Sequence, residues 1–233
     1  MSNIFLVTSA IHNDYGIYSY QERLDQLLGT IRSIRTHAPD SVICVCDASE
    51  QPLPEQDVNT LTNEANLVWS VFNHPYVQHM VGQGLQDTNR MAKKTIGELV
   101  CMMTFLNWLR HQEITFDRVF KISGRFRLNE NFKAVDYSLH KDKIVLKERK
   151  SWYGEDVFYS RLWSFDYNLL DRMWSAFEEI HSETMREAAE TDTFRVLEYS
   201  MFKFFTKHNL PIDEVPLIGL EGNFGQDGAP IDE

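Results

Sequence analysis

Apolar residues in the first half of the chain come in short runs, and stretches with helical spacing separate them. Ser2–Ile11 (SNIFLVTSAI) is a continuous apolar run, the pattern of a strand buried on both faces, and it gives way to the polar turn His12–Gly16. Glu22–His37 carries Leu24, Leu27, Leu28, Ile31 and Ile34 at the spacing of one helix face, and Pro39 stops it. Ser41–Cys46 predicts a second buried strand, which runs into Asp47-Ala48-Ser49. Pro52–Asn63 predicts a short helix, Leu67–Phe72 a third strand, and His74–Arg90 a polar, glycine-containing connection. Ile96–Arg110 predicts a helix with Leu99, Val100, Met103 and Leu106 inward, and Arg118–Ser123 a fourth strand that Gly124 breaks. Alternating strands and helices imply an α/β fold. Its core is a mainly parallel sheet through Ile4–Thr8, Val42–Cys46, Leu67–Phe72 and Val119–Ser123, with helices on both faces.

The second half changes character. Lys143–Lys147 predicts a short strand, and Ser151–Ser164 is rich in Trp and Tyr around Gly154-Glu155-Asp156. Tyr167–Ile180 is amphipathic through Leu170, Met173, Trp174 and Phe177. Thr184–His208 predicts a long helix or a broken pair, and Val215–Leu220 a closing strand before a Gly-rich tail, Glu221–Asp232. No Gly-, Ser- or Pro-rich linker divides the 233 residues, so one domain is expected, with residues 1–127 and 128–233 as its halves.

A formal charge of −11 argues against a nucleic-acid or membrane-surface binder, which needs a basic face. No apolar run is long enough to span a bilayer and no signal peptide is evident, so a cytoplasmic address is expected. Cys44, Cys46 and Cys101 lack a second pair at zinc-ligand spacing and are expected to be buried thiols.

Against this acidic background, Lys121, Arg125 and Arg127 cluster where the fourth strand ends. Open α/β sheets bind ligands outside the carboxyl ends of their strands, and guanidinium grips phosphate oxygens in bidentate fashion. Lys93 and Lys94 precede Thr95 and Glu98, which have the spacing of a capping box, so a helix start with a phosphate site is one expectation and a solvated lysine pair beside a cap the other. Asp47, directly after a buried strand, suits either a base or ribose contact or an Asx-turn.

Strand–Thr8/Ser9, strand–Asp47-Ala48-Ser49, Asn89 to Glu98 with its lysines, and Phe120-Lys121-Ile122-Ser123-Gly124-Arg125-Phe126 together resemble GT-A-fold glycosyltransferases. The likeness is to small bacterial and viral members with an F-K-x-S-G-R-[YF] segment, and Ile218-Gly219-Leu220-Glu221-Gly222 resembles their last strand and loop. The resemblance implies a single-domain, Rossmann-like enzyme that transfers a hexose-type sugar from a nucleotide-sugar donor to a glycan or other hydroxyl acceptor, as in polysaccharide biosynthesis. Residues 1–127 would be its nucleotide-sugar half and 128–233 its acceptor half. It implies that Asp47 contacts the nucleobase or ribose, that Thr8 and Ser9 line the donor site, and that Lys94, Lys121, Ser123 and Arg125 face the diphosphate and sugar.

The family's Asp-x-Asp, which holds Mn²⁺ or Mg²⁺, is replaced here by Ser123-Gly124-Arg125, so the expectation is that no cofactor is used and Arg and Lys supply the charge, the alternative being Mn²⁺ or Mg²⁺ held through a carboxylate elsewhere in the chain. Glu190-Thr191-Asp192 has the letters but falls in a helical stretch. A transferase also needs a base or a charge stabiliser near the anomeric carbon, and in an inverting reaction one carboxylate takes the acceptor's proton. Asp156 is the first candidate and Glu198 the second, with Glu155 and Asp192 beside them, and Trp152, Tyr153 and Trp163 suit an acceptor platform or the core. The alternatives are a non-catalytic nucleotide- or glycan-binding domain and a sugar-phosphate nucleotidyltransferase. The latter lacks its Gly-rich, Arg-containing loop after the first strand.

Overall fold

The structure is a computed structural model that describes residues 2–13, 16–82, 90–190, 196–224 and 227–233. Its centre is a seven-stranded sheet. The four expected strands, β1 (Asn3–Ser9), β2 (Val42–Asp47), β3 (Leu67–Ser70) and β4 (Arg118–Ser123), pair in parallel in the order β3-β2-β1-β4. The second half extends the same sheet through β9 (Leu162–Asp166), β6 (Ile144–Lys147) and β10 (Ile212–Val215). Of these seven, β9 runs antiparallel to both of its neighbours, and β10 is parallel to β6.

Side-chain alternation along the strands sends successive residues into two cores. Ile4, Leu6, Cys44, Cys46, Val119, Leu146 and Trp163 face α4 (Arg90–Arg110), α6 (Leu170–Glu190) and α7 (Leu197–Lys207). Phe5, Val7, Ile43, Val45, Phe120 and Ile122 face α1 (Tyr20–His37) and α2 (Glu55–Glu64). The sheet is therefore flanked by helices on both faces. Helix α1 begins two residues earlier than expected because Ser19 caps it: its hydroxyl accepts from Glu22 N and its own N–H donates to the Glu22 carboxylate. All three thiols are buried and unpaired, and Cys101 Sγ donates to the Cys46 carbonyl at 3.3 Å. Burial first, and then Cys46, push the Cys44 thiol up to about 12, so it is inert at neutral pH. Among the described residues no helix is long and apolar enough to cross a membrane.

Three expectations need correction. The polar connection after β3 contains a helix, α3 (Pro75–Gly82). Helix α4 starts at Arg90, so Lys94 and Thr95 lie inside it and the Thr95–Glu98 spacing caps nothing; Met91, Ala92, Lys93 and Lys94 are good helix formers, and the helix simply runs through them. The closing strand Val215–Leu220 does not form. Pro216 ends β10, Gly219 turns with φ +75, and Leu220–Asn223 (β11) pairs instead with β5 (Phe126–Leu128) and β12 (Pro230–Asp232) in a second, three-stranded sheet. A Cβ on Gly219 would lie 2.3 Å from the Phe132 backbone, so only glycine fits that turn.

Candidate functional site

Strand β1 has β2 on one side and β4 on the other, so the chain's winding reverses there, and a crevice is expected beyond the carboxyl ends of β1 and β4. Thr8 and Ser123 are register partners at those ends, and Gly124 N donates to Thr8 O at 2.8 Å. A Cβ on Gly124 would come within 2.8 Å of Leu27 Cδ1 and 3.2 Å of Thr8 O, so glycine is what lets the chain turn tightly into Arg125. A cavity of about 640 Å³ opens at this point. Thr8, Ser9, Lys94, Ser123, Arg125 and Glu198 line it, which brings six sequence-predicted residues together from both halves of the chain.

Asp47 is absent from the wall. It is fully buried, and its carboxylate accepts from Ser9 Oγ at 2.5 Å, Ile11 N at 3.2 Å and Ser49 N at 3.0 Å. Its neighbours continue the stitching, with Ala48 N donating to Ser9 O at 2.8 Å and His12 N to Ser49 Oγ at 2.8 Å. The Asx-turn alternative describes Asp47 better than a ligand contact. It ties the loops after β1 and β2 together and so shapes the wall that Ser9, Ala48 and Glu50 form.

Lys121 is also withdrawn from the cavity. Its side chain points to the α4 face of the sheet and is 2% exposed. Its ammonium forms an ion pair with Glu98 and donates to Ser123 Oγ at 2.9 Å and to Ser160 O at 2.5 Å. Burial lowers its pKa, and the Glu98 carboxylate opposes that shift. Glu98 is thus neither cap nor catalyst but Lys121's counter-ion at the cavity floor. Arg127 packs its guanidinium over Gly29 of α1 and does not line the cavity. The Lys93 side chain lies outside the described set.

Arg125 does line the cavity, and its Nε is buried with no hydrogen-bond partner among the described residues. Its guanidinium carbon stands 5.3 Å from the Phe126 ring centroid. Burial lowers its pKa, without approaching loss of charge at neutral pH. Two neighbours went unnoticed in the sequence. Arg161, just before β9, sits between the Tyr159 and Phe224 rings at 4.2 and 4.7 Å and pairs with Glu233 at 2.9 Å. Arg23, on α1, also lines the wall. No local motif marks either one; only the folded chain places them beside Arg125.

The carboxylate candidates separate clearly. Glu198, in the first turn of α7, lines the cavity, is 8% exposed and accepts from Ser160 Oγ at 2.8 Å. Burial alone would raise its pKa, but Lys94, the Ser160 hydroxyl and Lys121 outweigh that and hold it below the usual carboxylate range. Asp156 is exposed on the hairpin of β7 (Lys150–Trp152) and β8 (Glu155–Val157), 3.7 Å from Arg149, and is not part of the cavity wall. The aromatic loop that makes Asp156 the first candidate in the sequence is a hairpin, which directs the carboxylate to a surface ion pair. Asp192 lies outside the described residues. Trp163 is core, stacked on Phe177, whereas Trp152 and Tyr153 do line the cavity. Compared with known proteins, the chain matches no family model and no curated sequence significantly.

Proposed function

We propose that this cavity binds a nucleotide-sugar and that the protein is a GT-A-like glycosyltransferase acting on a hydroxyl acceptor. The observation that carries the reading is the Arg125 guanidinium on a cavity wall at the carboxyl ends of β1 and β4, with its buried Nε unpartnered among the described residues. A buried donor without a partner is costly, and a diphosphate oxygen would satisfy it with a charge-assisted hydrogen bond. Lys94, also on the wall, adds a second positive charge.

In the proposed reaction the acceptor oxygen forms a bond to the anomeric carbon, and the bond from that carbon to the diphosphate oxygen breaks. Its electron pair leaves with the nucleoside diphosphate, where Arg125 and Lys94 stabilise the developing charge. The acceptor's proton goes to Glu198, the ionised carboxylate on the wall. Ser160 holds that carboxylate in place. A divalent metal does not fit the described residues. The strand end offers a hydroxyl, a glycine and a guanidinium, and no group of three or more His, Cys, Asp or Glu side chains stands together to hold an ion. No step is therefore routed through one.

Calorimetric titration with UDP, GDP and CDP tests the reading. At least one should bind, and Arg125→Ala should weaken it tenfold to hundredfold, as expected for losing about 1.5–3 kcal/mol. Unchanged affinity in Arg125→Ala, or no binding by any of the three, overturns it.

A further inference from the structure

The β7–β8 hairpin ends in a two-residue turn, Tyr153-Gly154, in which both residues have positive φ, +53 and +88. Turns of this form favour Asn-Gly, because a left-handed backbone crowds a bulky side chain. Tyr153 therefore sits in a disfavoured conformation. Burial does not compensate it, since the residue is fully exposed. The residue nevertheless counts among those that line the cavity.

The residue before the tip is anchored. Trp152 lies edge-on to Tyr159 at 5.8 Å and to Tyr199 at 6.0 Å, and the Tyr199 hydroxyl donates to the Trp152 carbonyl at 3.1 Å. The hairpin thus holds an exposed aromatic residue at the edge of the cavity, in a position that folding alone gives no reason to prefer. Strain kept without a packing return points to a ligand.

We propose that Tyr153 is a specificity-determining residue that stacks on the sugar ring of a carbohydrate acceptor. The apolar C–H face of a pyranose matches an exposed aromatic ring, while its hydroxyls remain free to hydrogen-bond elsewhere along the cavity wall, which also carries Glu198. The proposal rests on the transferase reading for the name acceptor, but not for the sugar contact itself.

The test compares the full-length protein with Tyr153→Asn and Tyr153→Phe. Asparagine suits the turn and removes the ring, so Tyr153→Asn keeps the hairpin. Methyl β-glucoside, methyl β-galactoside, methyl α-mannoside and methyl N-acetyl-β-glucosaminide are titrated by saturation-transfer NMR, with UDP, GDP and CDP titrated separately. At least one glycoside should bind the native protein through its ring C–H protons. Its affinity should be kept in Tyr153→Phe and fall more than tenfold in Tyr153→Asn. Tyr153→Asn should melt at a higher temperature than the native protein. Glycoside binding that is unchanged in Tyr153→Asn, or absent in the native protein while a nucleotide binds, overturns the proposal. Glycoside binding that needs Tyr153 in a protein that binds no nucleotide supports the sugar contact and removes the transferase reading instead.

Discussion

Lys121 and Glu98 form an ion pair at the cavity floor, one from the middle of β4 and the other from α4. The lysine of the F-K-x-S-G-R segment therefore supports the cavity floor, and Arg125, four residues on, lines the cavity itself.

That pair predicts an asymmetric mutational response. Lys121→Met leaves the Glu98 carboxylate buried without its counter-ion and should cost about 3–5 kcal/mol in urea unfolding. Adding Glu98→Leu removes the stranded charge, so the double variant should be more stable than Lys121→Met alone. A double variant no more stable than the single one would show that the ion pair is not what Lys121 is buried for.

Glu198 and Arg125 should separate in kinetics. Glu198→Gln retains an acceptor for Ser160 Oγ, so donor affinity should hold while kcat falls by about 10²–10⁴. Arg125→Ala should lower kcat as well as donor affinity, since its proposed contact strengthens as the diphosphate leaves. Turnover should survive EDTA. Activity abolished by chelation and restored by Mn²⁺ would return the leaving-group role to a metal.

The third prediction concerns pH. Tyr76 of α3 lies between two histidine rings, 5.4 Å from His74 and 5.0 Å from His181 of α6. Burial, and for His181 also the charge of His74, lower both pKa values below the usual 6.5. A histidine kept neutral by folding adds stability that is present above its unfolded pKa and is lost as pH falls through the folded one. Melting temperature should therefore drop on acidification from about pH 7 to 5, and His181→Phe should flatten that dependence. The same slope in native protein and variant would assign acid sensitivity to the carboxylates alone. The consequence reaches the site, because Val77 of α3 lines the cavity.

Much of the sheet was legible in the sequence because a strand buried on both faces leaves an unmistakable apolar run. Ile4–Thr8, Val42–Cys46 and Val119–Ser123 could hardly pack in another way, and the polar turns after the first and last of these runs marked where the cavity opens. Thr8, Ser9, Ser123 and Arg125 reach the cavity for that reason: a strand end is a local property. Tertiary structure decided what depends on a partner distant in sequence. Asp47 became a loop tie because Ser9 and Ile11 arrive with donors, and Lys121 a floor residue because alternation points it at α4, where Glu98 waits. Asp156 and Glu198 are alike as sequence, each an acid beside aromatic residues. One stands on an exposed hairpin near Arg149 and the other under Lys94 and Ser160, and burial beside positive charge, set only by the folded chain, makes the second an ionised carboxylate inside a cavity.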